Sequence, residues 1–205
     1  ECSSPVHAAA VVGVELSMNG QQYASSGVSY TYQAAASVSY ISPATAVSEG
    51  GTPLTVHGGG FSSASESLGV LTCRIGGAVR RAVWASGSAI VCNATRAAAG
   101  ESRVEVSNNA REYTSSGGSS YYHPALTASG ATPSIGPEHG GTRVSVLGGG
   151  FRDAYTLRCA FGSVAAPVLA RYVDESQLEC SSPVHASGSA SVLLSMNGQQ
   201  YAPSG

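Results

Sequence analysis

The sequence predicts an all-β protein built of tandem sandwich domains, and three observations carry that reading. Short runs of alternating apolar and polar residues recur along the chain between glycine-rich turns, which is the pattern of half-buried strands rather than of helices. A long stretch appears twice: ECSSPVHA leading into SMNGQQYA stands at Glu1–Ala24 and again at Glu179–Ala202, a spacing of 178 residues, and 20 of the 27 positions shared at that spacing are identical. A weaker repeat lies inside the first. Gly50-Gly51-Thr52 and Gly58-Gly59-Gly60-Phe61 return as Gly140-Gly141-Thr142 and Gly148-Gly149-Gly150-Phe151, 90 residues on, and Cys92 and Tyr113 return as Cys180 and Tyr201, 88 residues on. Self-similarity at a fixed period marks a tandem array. The chain accordingly reads as the tail of a preceding unit at 1–34, a complete unit at 37–123, and a unit at 124–205 without its last strand.

Taken in order, Val12, Val14, Leu16 and Met18 alternate with small or polar residues and read as a half-buried strand. Asn19-Gly20 then predicts a tight type I′ hairpin, and Val28 to Gln33 the closing strand of that unit. Ala34 to Ala36 is a junction short enough to hold neighbouring units in a fixed, rod-like relation. In the complete unit, Leu54 and Val56 form a strand after Gly50-Gly51, and the glycine triplet 58–60 bends the chain before Phe61. Leu71, Cys73 and Ile75 share one strand face, as do Ile90 and Cys92. Val104 and Val106 supply a further strand, with a turn at Asn108-Asn109-Ala110 and a closing strand near Tyr121 and Tyr122. The last unit repeats the plan through Val144 and Val146, then Leu157, Cys159 and Phe161, then Leu178 and Cys180, then Val192, Leu194 and Met196. No segment has a convincing helical period, so many short strands between glycine turns argue for β-sandwiches.

Composition narrows the function classes. Charged residues make up 11% of the chain, against about a quarter in an ordinary globular protein. The basic residues are all Arg, and the net charge is −2. Without a basic run there is no counterion-release term to drive nucleic-acid binding. No apolar stretch is long enough to span a membrane.

Each unit carries a cysteine pair, Cys73 with Cys92 and Cys159 with Cys180, while Cys2 is the repeat of Cys180 and its partner falls outside the chain. One disulfide per unit places the protein in an oxidising, extracellular setting; buried free thiols are the alternative.

These residues resemble the IPT/TIG family of immunoglobulin-like domains. The likeness lies in Gly50-Gly51-Thr52 and Gly140-Gly141-Thr142 opening a strand, the Gly-Gly-Phe ending it, the spaced cysteines, the step Cys180-Ser-Ser-Pro183, and the Ser195-Met-Asn-Gly198 hairpin followed by Tyr201. The middle unit departs, with Cys92-Asn93-Ala94 in place of Cys-Ser-Ser-Pro and Asn109-Ala110 in place of Asn-Gly. The resemblance implies tandem immunoglobulin-like sandwiches and an extracellular, non-catalytic role.

A search for chemistry yields no catalytic, cofactor or metal site. His7 and His185 stand four residues after the Ser that follows Cys2 and Cys180, but the cysteines are assigned to disulfides and a zinc site wants four clustered ligands. Glu138-His139 pairs an acid with a base at a bend where the preceding unit has Glu49-Gly50 and no His. The glycine triplets precede no helix bearing Lys and so bend backbone rather than cradle phosphate. Asn93-Ala94-Thr95 is an N-glycosylation sequon, and the serine-rich stretches Ser62–Ser67 and Thr114–Ser120 read as carriers of O-linked sugar or as plain loops.

Two functions follow. The first is structural: a segment of an extracellular fibre or surface appendage whose partners are copies of itself, head to tail or laterally, with covalent glycans as a coat. Strand addition from one chain to the next is a variant of it, against a continuous polypeptide. The second is an adhesin or receptor ectodomain that binds protein or polysaccharide through aromatics such as Trp84, Tyr121 and Tyr122, with Trp84, the one tryptophan, reading equally as core. An accessory domain of a polysaccharide enzyme is a third option and requires a catalytic domain elsewhere.

Overall fold

The computed structural model describes residues 2–203, and its strands bear out the all-β reading. The N-terminal part is one hairpin, β1 (Ala10–Leu16) and β2 (Ala24–Tyr32), antiparallel with a bulge between Gly13 and Glu15. The connection is not the two-residue type I′ turn expected from Asn19-Gly20. Gly20 takes a positive φ of 72°, but Asn19 instead turns its side chain inward. Its Oδ1 accepts the amides of Gln21 and Gln22 at 2.9 and 3.0 Å, and the Ser17 Oγ accepts that of Gly20 at 2.8 Å. An Asn that satisfies two loop amides stabilises a wider connection than the bare dipeptide suggests. Unit three repeats this brace with Ser195, Asn197 and Gly198, and unit two with Ser107 and Asn109, where Ala110 takes the positive φ at 58°.

Unit two is a sandwich. One sheet has the order β3-β5-β9-β8, with β3 (Ser37–Ser42), β5 (Pro53–Gly59), β8 (Val83–Ser86) and β9 (Ala89–Asn93). The other has the order β4-β11-β10-β6-β7, with β4 (Thr45–Val47), β6 (Thr72–Ile75), β7 (Ala78–Arg81), β10 (Gly100–Ser107) and β11 (Gly118–His123). The pair β4–β11 is parallel and holds the closing strand in place. Period-two alternation turns Leu54, Val56, Ile90 and Cys92 of the first sheet toward Cys73, Ile75, Val104, Val106 and Tyr122 of the second, and all are buried. The disulfide Cys73–Cys92 joins β6 to β9 across this core, with Cα atoms 6.3 Å apart.

One short helix, α1 (Ser63–Ser67), occupies the serine-rich stretch that reads from sequence as loop. Ser62 caps it by accepting the amide of Ser65 at 3.3 Å, and the Glu66 carboxylate accepts the Trp84 amide at 3.0 Å. Five residues are too few to display a helical period.

Unit three contains β12 (Thr127–Thr132), β13 (Arg143–Gly149), β14 (Arg158–Phe161), β15 (Val168–Asp174), β16 (Gln177–Ser181), β17 (Val192–Ser195) and β18 (Ala202–Pro203). Its strands follow the order β12-β13-β16-β15-β14-β17-β18, because β15 pairs with both β16 and β14 and so links the two layers. Cys159 on β14 and Cys180 on β16 are joined, with Cα atoms 6.4 Å apart. Cys2 is free and exposed.

The hairpin differs from its duplicate in burial. Leu194 and Met196 lie in the unit-three core, whereas Leu16 and Met18 are 64% and 107% exposed. No second sheet faces β1 and β2 among the described residues, so of the half-buried strand expected from Val12, Val14, Leu16 and Met18 the first two are half-buried and the last two stand in water.

The glycine triplets act through close approach. A Cβ on Gly58 would lie 1.8 Å from the Ser37 carbonyl oxygen, and one on Gly148 would lie 1.9 Å from that of Thr127. Each marks the point where the strand ending in the triplet is crowded by the first strand of its unit. Gly51 is different: a Cβ there meets nothing, but φ is +82°. Gly58→Ala is therefore expected to destabilise unit two by about 3 kcal/mol or more, and Gly51→Ala by about 1–2 kcal/mol. Urea unfolding of the two variants, read by Trp84 fluorescence, checks the ranking.

Candidate functional site

The residues singled out from sequence do not gather into a reactive centre. Trp84 packs against the unit-two core and its indole N–H donates to the Phe61 carbonyl at 3.2 Å, while Tyr122 is buried. These two serve the fold and are not the exposed ligand platforms the binding reading needs. His7 and His185 each hold a neighbouring backbone carbonyl through Nδ1, that of Ala8 and that of Ala186. Glu138 and His139 lie exposed in a loop, where the Glu138 carbonyl accepts the His185 amide at 2.9 Å. Among the described residues no three His, Cys, Asp or Glu side chains cluster as metal ligands. Asn93 is exposed at the end of β9, in register with Pro53.

Two ion pairs brace sheet surfaces. Arg74 meets Glu105 at 2.6 Å between β6 and β10, and Arg171 meets Glu179 at 2.6 Å between β15 and β16. The hydrogen bond from Arg74 holds the Glu105 carboxyl below its ordinary range. Both are exposed enough that they contribute register more than stability.

What the fold does assemble is the joint between units two and three. The Asn-braced loop of unit three lies against the end of unit two where β4 and β5 begin. Thr52 is fully buried there; its hydroxyl accepts the Val47 amide at 3.2 Å and donates to the Gln200 Oε1 at 3.1 Å. The Thr45 hydroxyl donates to the Met196 carbonyl at 3.4 Å, and the Gln199 amide nitrogen donates to the Pro53 carbonyl at 3.4 Å. Thr156 donates to the same Met196 carbonyl at 2.6 Å, tying the loop to its own unit. On another side of the joint the Arg152 guanidinium lies 3.9 Å from the centre of the Tyr121 ring, a cation–π contact that anchors unit three to the closing strand of unit two. None of these partners announces itself in sequence, because each is a Thr, Gln or Arg defined only by the docking. Their signal was indirect: the loop MNGQQY lies in one of the two eight-residue runs, ECSSPVHA and SMNGQQYA, that the long repeat keeps unchanged.

A small cavity of about 150 Å³ sits in the joint, lined by Glu49, His123, Leu126, Leu194, Gln200 and Tyr201 among others. The His123 Nδ1 is 2.8 Å from the Pro124 carbonyl, whereas its Nε2 and the Tyr201 hydroxyl are buried without a partner. Burial lowers the pKa of His123, opposed by that backbone bond and by the charge of Glu49, and burial raises that of Tyr201.

Comparison with known proteins follows the same division. The family model described as IPT/TIG domain matches residues 36–123 and 126–205. No curated protein matches the chain. Among solved structures, the plexin A4 extracellular region resembles it in two forms. The form with domains 1 to 8 shows 20% identity over 82% of this chain at a TM-score of 0.50. The form with domains 1 to 10 shows 20% identity over 82% at a TM-score of 0.53. These likenesses concern the fold alone, and the chain spans 17% and 15% of those ectodomains. A surface glycan-binding protein, SGBP-B from a xyloglucan utilization locus in Bacteroides uniformis, shows 18% identity over 80% of this chain and 47% of its own at a TM-score of 0.32, too low to bear on the fold.

The joint makes stability depend on pH. The pKa of His123 in the folded state lies below the value of about 6.5 that an unfolded chain shows. Above that value both states are neutral and nothing is lost. As pH falls through it the unfolded state takes up the proton first, so stability falls until the folded His is protonated as well. Thermal unfolding is expected to show a midpoint that drops between about pH 7 and pH 5, with the drop smaller in His123→Gln, which carries the residue found at the equivalent position 33.

Proposed function

The chain belongs to the IPT/TIG domain family, and on that premise we propose that it is a segment of an extracellular, non-catalytic array whose task is mechanical: a fibre or surface appendage of immunoglobulin-like domains in fixed succession. The observation that carries this reading is that the surface making the joint recurs with the long period. The loop that docks on unit two through Met196, Gln199 and Gln200 is repeated without change at Met18, Gln21 and Gln22, where it stands exposed. A repeated docking loop serves repeated docking, and a lattice or filament needs the same contacts at each period.

The rest of the composition suits that task. A disulfide ties the two layers of each sandwich, and by the loop-length estimate each contributes about 3 kcal/mol, which favours an oxidising exterior. Few charges and small side chains suit lateral contact with copies of the same chain, or a coat of covalent glycans. Asn93 is the acceptor we assign for such a glycan, since it is exposed at a strand end.

Negative-stain electron microscopy of a chain spanning two full periods tests the proposal. Straight particles with a constant repeat along their length are expected. Particles whose units adopt no constant relation would count against it and move the adhesin or receptor reading to the front.

A further inference from the structure

Unit two presents one outer sheet face without charge. No residue of β3, β5, β8 or β9 is Asp, Glu, Lys or Arg, whereas the opposing sheet carries Arg74, Arg80, Arg81, Glu101, Arg103 and Glu105. The outward positions follow from the register: Tyr40 pairs with His57, Thr55 with Val91, and Val91 with Val83. Tyr40 and Val83 are 57% and 59% exposed. The Tyr40 and His57 rings lie parallel, with centroids 4.2 Å apart and planes 9° apart, and make an aromatic step on this face.

Asn93 shares the face. In β9 the residues at 89, 91 and 93 alternate with the buried Ile90 and Cys92, so Asn93 points to the same side as Val91. It heads the sequon Asn93-Ala94-Thr95. Strand β9 lies inside the sheet, between β5 and β8, so a sugar chain leaving Asn93 starts at the middle of the face and not at its rim. Ala89, at the other end of β9, pairs with His57, and it stands about 13 Å from Asn93 at about 3.3 Å per residue. The aromatic step is therefore within reach of the first few sugars of a chain.

The internal repeat supplies a comparison within the molecule. In unit three the same register holds, but Val83–Val91 is replaced by the ion pair Arg171–Glu179, and Tyr40–His57 by Gly130–Leu147. The sequon is replaced there by Ser181-Ser182-Pro183. Acceptor, apolar floor and aromatic step are present together in unit two and absent together in unit three. They lie on three different strands, so nothing local to the chain ties one to another. A face that keeps its own charges is compatible with water, whereas one without them calls for a cover.

We propose that a covalent glycan on Asn93 lies back along the outer face of β3-β5-β9-β8, its first sugars over Val91 and Thr55 and its outer sugars against the Tyr40–His57 step. The proposal rests on the assignment of Asn93 as the acceptor and adds where the sugar goes. Attachment uses an oligosaccharide carried on a lipid pyrophosphate. The Asn93 Nδ2 gives up a proton and bonds to the anomeric carbon, the bond from that carbon to the pyrophosphate oxygen breaks, and the lipid pyrophosphate leaves with the electron pair. A pyranose ring has C–H groups on its faces and hydroxyls on its rim. The former match the rings and valines, and the latter find the Thr55 hydroxyl and water. Because the sugar is tethered, contact with the face is intramolecular and individually weak contacts suffice. The sugar also shields the uncharged edge strands β3 and β8 from pairing with another chain.

The chain with Cys2→Ser, secreted from a eukaryotic cell, tests this. Peptide N-glycanase is expected to remove one glycan by intact mass, and Asn93→Gln to carry none. Methyl and aromatic NMR spectra before and after removal locate the sugar. Resonances of Thr55, Val83 and the Tyr40 and His57 rings are expected to shift, while those of Leu147 and Leu169 in unit three stay in place. With Tyr40→Ser and His57→Ser, both outside the core, release of the glycan from the folded chain is expected to be several-fold faster. An unmodified Asn93 overturns both the placement and the acceptor assignment. A glycan whose removal shifts only the neighbours of Asn93, and whose release is indifferent to the double variant, overturns the placement alone. Face resonances that move with protein concentration and not with glycan removal mark a contact between copies and overturn it as well.

Discussion

A β-sheet with one apolar face has to find a second layer, and a sandwich has to find its last strand; much of what distinguishes the parts of this molecule follows from whether those two demands are met. Unit two meets both, and its inward residues from Leu54 to Tyr122 are sealed from water. Among the described residues no second layer covers the hairpin, so Leu16, Met18 and Tyr23 stand exposed although Leu194 and Met196, the same residues one period on, are core. Unit three has its two layers, with a concavity between Ile135 and Val192. The sequences differ little. The difference lies in what covers them.

The joint between units shows how a repeat becomes an array. Its contacts are a handful of side-chain bonds from Thr45, Thr52 and Gln199 and one Arg152–Tyr121 stack, each modest alone. What gives them weight is the rigidity of the loop that delivers them. Asn197 and Ser195 satisfy the loop amides from within, so the docking surface is formed before docking and little ordering entropy is lost on contact. Alternation between two unit types lets successive joints differ: Gln33 holds Ser62 and Ser65 of the following unit, whereas its counterpart His123 is buried beside a cavity.

How much was legible in the sequence divides along the same physical lines. Period-two runs such as Leu54/Val56 and Val104/Val106 were enough to identify strands and inward faces, because burial of alternate residues is a local signal. The crowding at Gly58 and Gly148 could be read as bending but not as contact with Ser37 and Thr127, which are distant in sequence. Helix α1 was hidden by its length and its serines. The type I′ expectation failed because the side chain of Asn19 competes for the loop amides, an effect that the Asn-Gly preference leaves out. Trp84 had two readings in sequence, and its bond to the Phe61 carbonyl decides for the core. The joint was out of reach, since polar residues that dock look like polar residues that do not.

The central claim is that the docked loop of unit three sets a fixed relation between units two and three. Small-angle X-ray scattering of the chain with Cys2→Ser, alone and with Gln199→Ala, Gln200→Ala and Arg152→Ala added, tests it most directly. The account predicts the profile of one rigid particle for the first and a broader spread of inter-unit angles for the second. A first profile already as broad as the second would contradict it.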